Sequence, residues 1–197
     1  MCKDRNESPK STMKFESVWE VMEFEDIQDG TIRVSDSIHD TMVGRISTKL
    51  DYMRRHGITN ISVVLTSPGG SAYAAFGIYD ILRLAAANGA TIMGRVEGYA
   101  ASAASMIVLQ ACTVRKATGY SRLHLHEVSQ WIFLENQKLS DVQDSSKEME
   151  ALTKMMSKIL SERTGKSEEE IKEFINRHER WMSAEAAKEW GLIDEII

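Results

Sequence analysis

The spacing of apolar residues changes several times along the chain, and each change marks a predicted element. Ile61 to Leu65 is an unbroken aliphatic run, the pattern of a strand buried on both faces of a parallel sheet. Before it, Ile38, Met42, Ile46, Leu50 and Met53 recur at helical spacing and predict a helix over Ile38 to Met53, ended by Gly57. Thr31 to Val34 reads as a short strand after a turn at Asp29-Gly30. Ser17 to Phe24 alternates loosely and reads as a strand. The alternation then repeats: a turn at Ser67-Pro68-Gly69-Gly70, a helix over Ala72 to Ala87 ending at Asn88-Gly89, and a strand over Thr91 to Val96. Gly98 reads as a turn, Ala100 to Gln110 as a small-residue helix, and Thr113 to Lys116 and Arg122 to His126 as short strands. Strands alternating with helices imply crossover connections, and so an α/β fold with a mainly parallel sheet.

After His126 the texture changes. Val128 to Leu134 is strand-like and too apolar for a free loop. Ser140 to Arg163 is long, charged and helical, with one stripe through Met149, Leu152, Met156, Ile159 and Leu160. Such an extension has little core of its own, so this surface, the striped helix together with Val128 to Leu134, is expected to bury against another subunit, the alternative being that it folds back on its own domain. Ser167-Glu168-Glu169-Glu170 is a capping box that opens a further helix, and Ser183 can cap a last one ending near Gly191. Residues 1–14 are polar and charged, as in a disordered tail. No repeat or low-complexity linker divides the rest, so residues 15–197 read as one domain.

Composition narrows the function. The chain has 197 residues, 43% of them hydrophobic and 27% charged, enough for one sizeable core. A net charge of −5 and the lack of any basic patch longer than Arg54-Arg55-His56 argue against a nucleic-acid partner. Two cysteines, Cys2 and Cys112, make no disulfide framework and fit a reducing cytoplasm. Met1 to Lys14 lacks the apolar core of a signal peptide, and the uncharged runs are interrupted or too rich in Ala and Ser to span a bilayer, so no membrane is expected. No His-Glu-x-x-His spacing suggests a metal, and the Pro-Gly-Gly turn lacks the Lys-Ser/Thr ending of a phosphate loop. No cofactor is expected.

Two segments carry candidate chemistry. Gly98-Tyr99-Ala100-Ala101-Ser102-Ala103 joins a strand to a helix start, where unpaired N–H groups and the dipole favour negative charge. Taken alone, a packed Ala/Ser helix explains it as well. Ser67-Pro68-Gly69-Gly70-Ser71 lies at the same predicted sheet edge, and its glycines can turn N–H groups toward a ligand. Taken alone, it is an ordinary turn. Together they place a serine and backbone donors at the carboxyl ends of strands, where open α/β sheets bind ligands. Histidine is the natural base for such a serine. His124 and His126 share one strand face if the strand is regular, so spacing alone does not choose between them. Ser105, three residues after Ser102, is a second candidate hydroxyl.

Thr66-Ser67-Pro68-Gly69-Gly70, Gly77-Ile78-Tyr79-Asp80, Gly98-Tyr99-Ala100-Ala101-Ser102, Ser121-Arg122-Leu123-His124-Leu125-His126 and the closing stretch Arg180 to Asp194 together resemble the Clp protease proteolytic subunit. The resemblance covers about residues 30–197. It implies the ClpP/crotonase-like fold of repeated ββα units, with a protruding helical handle at about 128–165. It implies a serine endopeptidase with Ser102 as nucleophile, His126 as base, and backbone N–H groups of Gly70 and Ala103 as the oxyanion hole. It further implies polypeptide substrates, a homo-oligomer of paired heptameric rings around a chamber, and a Clp-type ATPase as candidate partner.

Two departures qualify it. Glu179 stands where the family carries its third catalytic residue, an aspartate; Asn176 or a backbone carbonyl is the alternative acceptor for His126. Met1 to Gln28 shows no match to the family's N-terminal hairpin, so a divergent or phage-type member fits. Three rival readings stay open: a signal-peptide-peptidase-like Ser–Lys protease, a crotonase-type acyl-CoA enzyme, and an inactive ring subunit.

Overall fold

The computed structural model describes residues 16–128 and 138–197; the expected tail and residues 129–134 of the strand-like Val128 to Leu134 lie outside them. The elements in order are α1 (Val18–Gln28), β1 (Thr31–Val34), α2 (Asp40–Arg55), β2 (Asn60–Ser67), α3 (Ala72–Ala87), β3 (Thr91–Ala101), a π-helical turn (Ala104–Val108) running into a 3₁₀ turn (Leu109–Ala111), β4 (Val114–Ala117), β5 (Arg122–Leu125), α4 (Leu139–Thr164), α5 (Glu168–Ile175), β6 (Arg180–Ser183), α6 (Ala184–Trp190) and β7 (Glu195–Ile196). The described strands form one mixed sheet. Its spine β1-β2-β3-β4-β7 is parallel throughout, and β5 pairs parallel with β3 and antiparallel with β6.

The aliphatic run in β2 is buried as its pattern requires: Ile61, Val63, Val64 and Leu65 are all inside. Helices α2 and α3 pack together; α2 buries Ile46, Leu50 and Met53, and α3 buries Phe76, Ile78 and Leu82. Ser71 starts α3 by accepting the N–H of Ala74, the usual device for satisfying a free helix-end donor. The capping box at Ser167 and the left-handed Gly191 that closes α6 stand where the sequence signals put them, and a left-handed Gly165 closes α4.

Three expectations are corrected. Ser17 to Phe24 is helix, capped by Ser17, with none of its residues buried; its loose alternation fits both periods, and the cap decides for the helix. Gly98 does not turn the chain out of the sheet: β3 continues through it to Ala101. The register against β2 slips between Leu65 and Ser67, which pair with Val96 and Ala100. Gly98, at φ +77°, lies in this bulge, which bends the strand and re-aims the residues beyond it. The stripe of α4 does not wait for another subunit. Leu152, Met156, Ile159 and Leu160 are buried within the chain, against the π-helical turn and α5. The N-terminal part of α4, by contrast, is mostly exposed.

Candidate active site

The bulge gives β3 a second set of neighbours. Beyond it, Tyr99, Ala100 and Ala101 pair with Arg122, Leu123 and His124 of β5. Ser102 comes next, at φ +54°, a left-handed conformation that costs a side-chain-bearing residue about 1–2 kcal/mol. Strain of this kind persists only where the surroundings enforce it. Here the Ser102 N–H donates to the His124 carbonyl at 3.0 Å, and the Ser102 carbonyl accepts from the N–H groups of Ser105 (3.1 Å) and Met106 (2.9 Å). The expected straight helix over Ala100 to Gln110 is therefore a sharp elbow leading into a π turn. A π turn widens the backbone spacing and recurs at functional sites.

Ser102 Oγ lies 2.7 Å from His126 Nε2. His126 lies just past β5, the strand paired with β3, so hydroxyl and imidazole stand on adjacent chain ends. Ser105 points elsewhere. It is wholly buried, and its Oγ lies 3.1 Å from the Ser102 carbonyl and 2.5 Å from that of His124. It braces the elbow from behind.

The turn at Pro68-Gly69-Gly70 closes the other side. Ile38 donates to the Gly69 carbonyl (2.8 Å) and accepts from Ser71 N–H (2.9 Å), a parallel bridge centred on Gly70. In such a bridge the N–H of Gly70 points away from Ile38, and Gly70 and Ser102 line a common cleft. Among the described turns and loops, neither Gly70 N–H nor Ala103 N–H is taken by another group. Glycine is required at position 69, since a Cβ there would sit 2.7 Å from Ser102 Cβ and 3.0 Å from Ala103 N.

The cleft holds about 750 Å³. Its floor is Ser102, Ala103 and His126, and its far wall is α4 through Met149, Leu152 and Met156. Tyr73, at the start of α3, donates to Glu148 of α4 at 2.7 Å. No lysine is among the cleft's described lining residues.

Glu179 does not reach His126. Its Oε2 lies 2.5 Å from His124 Nε2, with the carboxylate side chain 71% exposed, rather than buried as an orienting acid is in the Ser-His-Asp arrangement. Glu179 is thus the charge neighbour of His124 Nε2 rather than of His126. The alternative acceptor Asn176 caps α5. Among the described residues, the one hydrogen bond of the His126 ring is to Ser102. Burial pulls the His124 imidazole below its ordinary range; Glu179 pulls the other way, and His126 adds to the lowering.

One supporting feature gives no sequence signal. Buried Arg115 donates to both carboxylate oxygens of Asp194, to Gln110 Oε1 (2.8 Å) and to the Gly191 carbonyl (2.9 Å). Gln110 Nε2 in turn donates to the Ser105 carbonyl at 2.8 Å. A continuous polar chain thus runs from the C-terminal segment to the elbow. The partners lie up to 79 residues apart, and no local spacing announces them.

Chemically, the arrangement can move the Ser102 proton to an imidazole. Among the described residues no group of three or more His, Cys, Asp or Glu is disposed to hold a metal. No described helix is long and apolar enough to cross a membrane.

A model of the family described as Clp protease matches residues 17–197, further toward the N-terminus than the motifs alone reach. The chain is 34% identical over 139 residues, 70% of its length, to an ATP-dependent Clp protease proteolytic subunit of Bacteroides fragilis. It is 34% identical over 140 residues, 71% of its length, to proteolytic subunit 1 of Streptomyces avermitilis. It is 30% identical over 173 residues, 87% of its length, to proteolytic subunit 1 of Salinibacter ruber. The matches span 64%, 61% and 71% of those relatives' own lengths.

Proposed function

The chain belongs to the Clp protease family, and from that premise we propose that it is a serine endopeptidase that cleaves unfolded polypeptides inside an oligomeric chamber. The reading is carried by Ser102 Oγ standing 2.7 Å from His126 Nε2 beside the N–H groups of Gly70 and Ala103. His126 removes the Ser102 proton as Oγ attacks the scissile carbonyl. The two amides stabilise the tetrahedral oxyanion, each worth a few kcal/mol. His126 then returns the proton to the leaving amine, and water hydrolyses the acyl-enzyme by the same route.

The Ser–Lys reading loses ground because no described lining residue of the cleft is a lysine. The acyl-CoA reading uses the two amides and leaves the Ser102–His126 hydrogen bond without a role. Assembly into paired rings, confinement of the sites within them and delivery of chains by a Clp-type ATPase belong to the same proposal. They are supported by the relatives' description as proteolytic subunits of ATP-dependent proteases.

The test joins sizing chromatography to fluorogenic-peptide hydrolysis and fluorophosphonate labelling. The wild type is expected to run as a large assembly, to turn over peptide and to label at Ser102. Ser102→Ala and His126→Ala are each expected to lose roughly a thousandfold or more in turnover. Full activity in His126→Ala would overturn the mechanism. Assemblies that neither label nor hydrolyse would assign the chain a scaffolding role.

A further inference from the structure

In this chain the carboxylate at the position of the family's acid meets a histidine two residues before the base. His124 is exceptionally well fixed. Its carbonyl accepts from Ser102 N–H and lies beside the Ser105 hydroxyl. Its backbone pairs with Ala101 on one side and Trp181 on the other. Its ring stacks on Trp181 at 4.5 Å and 20°, and on His126 at 5.2 Å and 17°. Glu179 Oε2 approaches its Nε2 at 2.5 Å. The His126 ring, by contrast, extends past the end of β5. Besides its bond to Ser102, it has the stack on the His124 ring face.

We infer that His124 is a positioning residue: Glu179 acts on His126 through the His124 ring rather than by touching the base. The inference rests on the Ser102–His126 reading above and deepens it. Glu179 and Trp181 set the plane of His124, and that plane sets His126 for Ser102.

The same geometry makes the charge of His124 matter. Protonated, His124 would stack a cation on the ring that must become cationic. Glu179 and His126 are its immediate titratable neighbours. Arg122 on β5 and Arg180 on β6 direct their guanidiniums to the carbonyls of Trp181 and Phe174. From β3 and the elbow come only Ala101, Ser102 and Ser105, all uncharged. Helix α6 turns Ala184 and Ala187 inward and keeps Glu185, Lys188 and Glu189 exposed. Across the cleft α4 brings Asp144 and Glu148. Burial lowers the proton affinity of His124, against the pull of Glu179 and together with that of His126.

A double-mutant cycle on the full chain tests this, with His124→Phe, which keeps an aromatic ring for the stack, and Glu179→Gln, which keeps the shape and removes the charge. Each is expected to lower kcat roughly tenfold with KM nearly unchanged, as small misplacements of a reacting group do. The double variant is expected to be no worse than His124→Phe alone, since coupled residues fail to add. In the wild type the acid limb of kcat/KM should steepen from one proton toward two as pH falls; in His124→Phe it should stay at one. Thermal melts identify a variant that fails to fold, for which His124→Gln is the substitute. Additive losses with identical acid limbs would overturn the inference while leaving the Ser–His chemistry in place. A wild type that neither hydrolyses peptide nor labels at Ser102 would overturn both.

Discussion

Gly69→Ala and Gly98→Ala make a matched pair of perturbations, because both glycines have left-handed backbones (φ +89° and +77°) and only one is crowded. At Gly98 the nearest heavy atom to an added Cβ is Thr66 Cγ2 at 3.9 Å, so the cost is the left-handed conformation alone, about 1–2 kcal/mol. At Gly69 the added Cβ meets the Ala101 carbonyl oxygen at 2.6 Å, where ordinary contact begins at 3.4 Å. The difference, 3.4 − 2.6, is about 0.8 Å, which the elbow itself must yield. Overpacking of that kind adds about 1–3 kcal/mol. Gly69→Ala is therefore expected to lose about 3 kcal/mol or more. At roughly 2–4 °C per kcal/mol for a chain of this size, that is a fall of about 6–12 °C in Tm. Because the atoms displaced are Ala101, Ser102 and Ala103, kcat is expected to fall about a hundredfold, the usual effect of a misplacement near 1 Å. Gly98→Ala should stay within about threefold of wild type, since nothing crowds its Cβ. Calorimetry and fluorogenic-peptide turnover read the two quantities. Equal behaviour of the two variants would refute the argument that Gly69 is a packing partner of the elbow.

Asp194→Asn leaves buried Arg115 without its carboxylate. Losing one partner of a buried pair costs about 3–5 kcal/mol; with the Asp194 side chain 37% exposed, solvent screening reduces this to about 2–3 kcal/mol, measurable by urea unfolding. Burial pushes the Asp194 carboxyl up, but the hydrogen bonds and charge of Arg115 outweigh it and hold the group below the usual carboxylate range. Its stabilisation is thus present above the unfolded-state value and lost as pH falls through the folded one. Wild type should lose this component below about pH 4, whereas the asparagine variant should show a flatter acid profile; identical profiles would refute the linkage. Met156→Ala, at a wholly buried position, should cost about 2–5 kcal/mol, and a loss under about 1 kcal/mol would mean that α4 is not docked as described. Burial pushes the Cys112 thiol up to about 12, so iodoacetamide at neutral pH should leave it unmodified in the folded protein; rapid alkylation located by mass spectrometry would contradict its packing.

Legibility in the sequence tracks the range of the interactions. Helix α3 begins after the Ser67 to Gly70 turn and ends at Asn88-Gly89, signals carried within a few residues. The Pro-Gly-Gly turn is readable for the same reason. Helix α1 is not, because Val18, Met22 and Phe24 would share one face of a strand while Val18, Val21 and Met22 share one face of a helix, and no buried face arbitrates. The elbow reads as plain helix, since Ala and Ser fit a helix well and the strain at Ser102 is imposed by β5, some twenty residues later. Of the candidate site residues, Ser102 and His126 are brought together and Gly70 and Ala103 face the same cleft. Glu179 meets His124 instead: its alignment is visible in the sequence, but the stacking that puts His124 in its way depends on Trp181 across an antiparallel ladder. The Arg115–Asp194 chain is invisible for the same reason, being made wholly of distant partners.

The hydrogen bond between the backbone at 102 and the carbonyl at 124 has a consequence for how this protein could diversify. Attack geometry belongs to one rigid unit, the paired ends of β3 and β5, whereas the width of the cleft belongs to α4, whose exposed first half contributes no reacting atom. On the proposed reading, admission of a chain and its cutting fall to separate pieces of the molecule, so that substitutions in the exposed half of the helix are expected to alter preference without disturbing the alignment of the reaction.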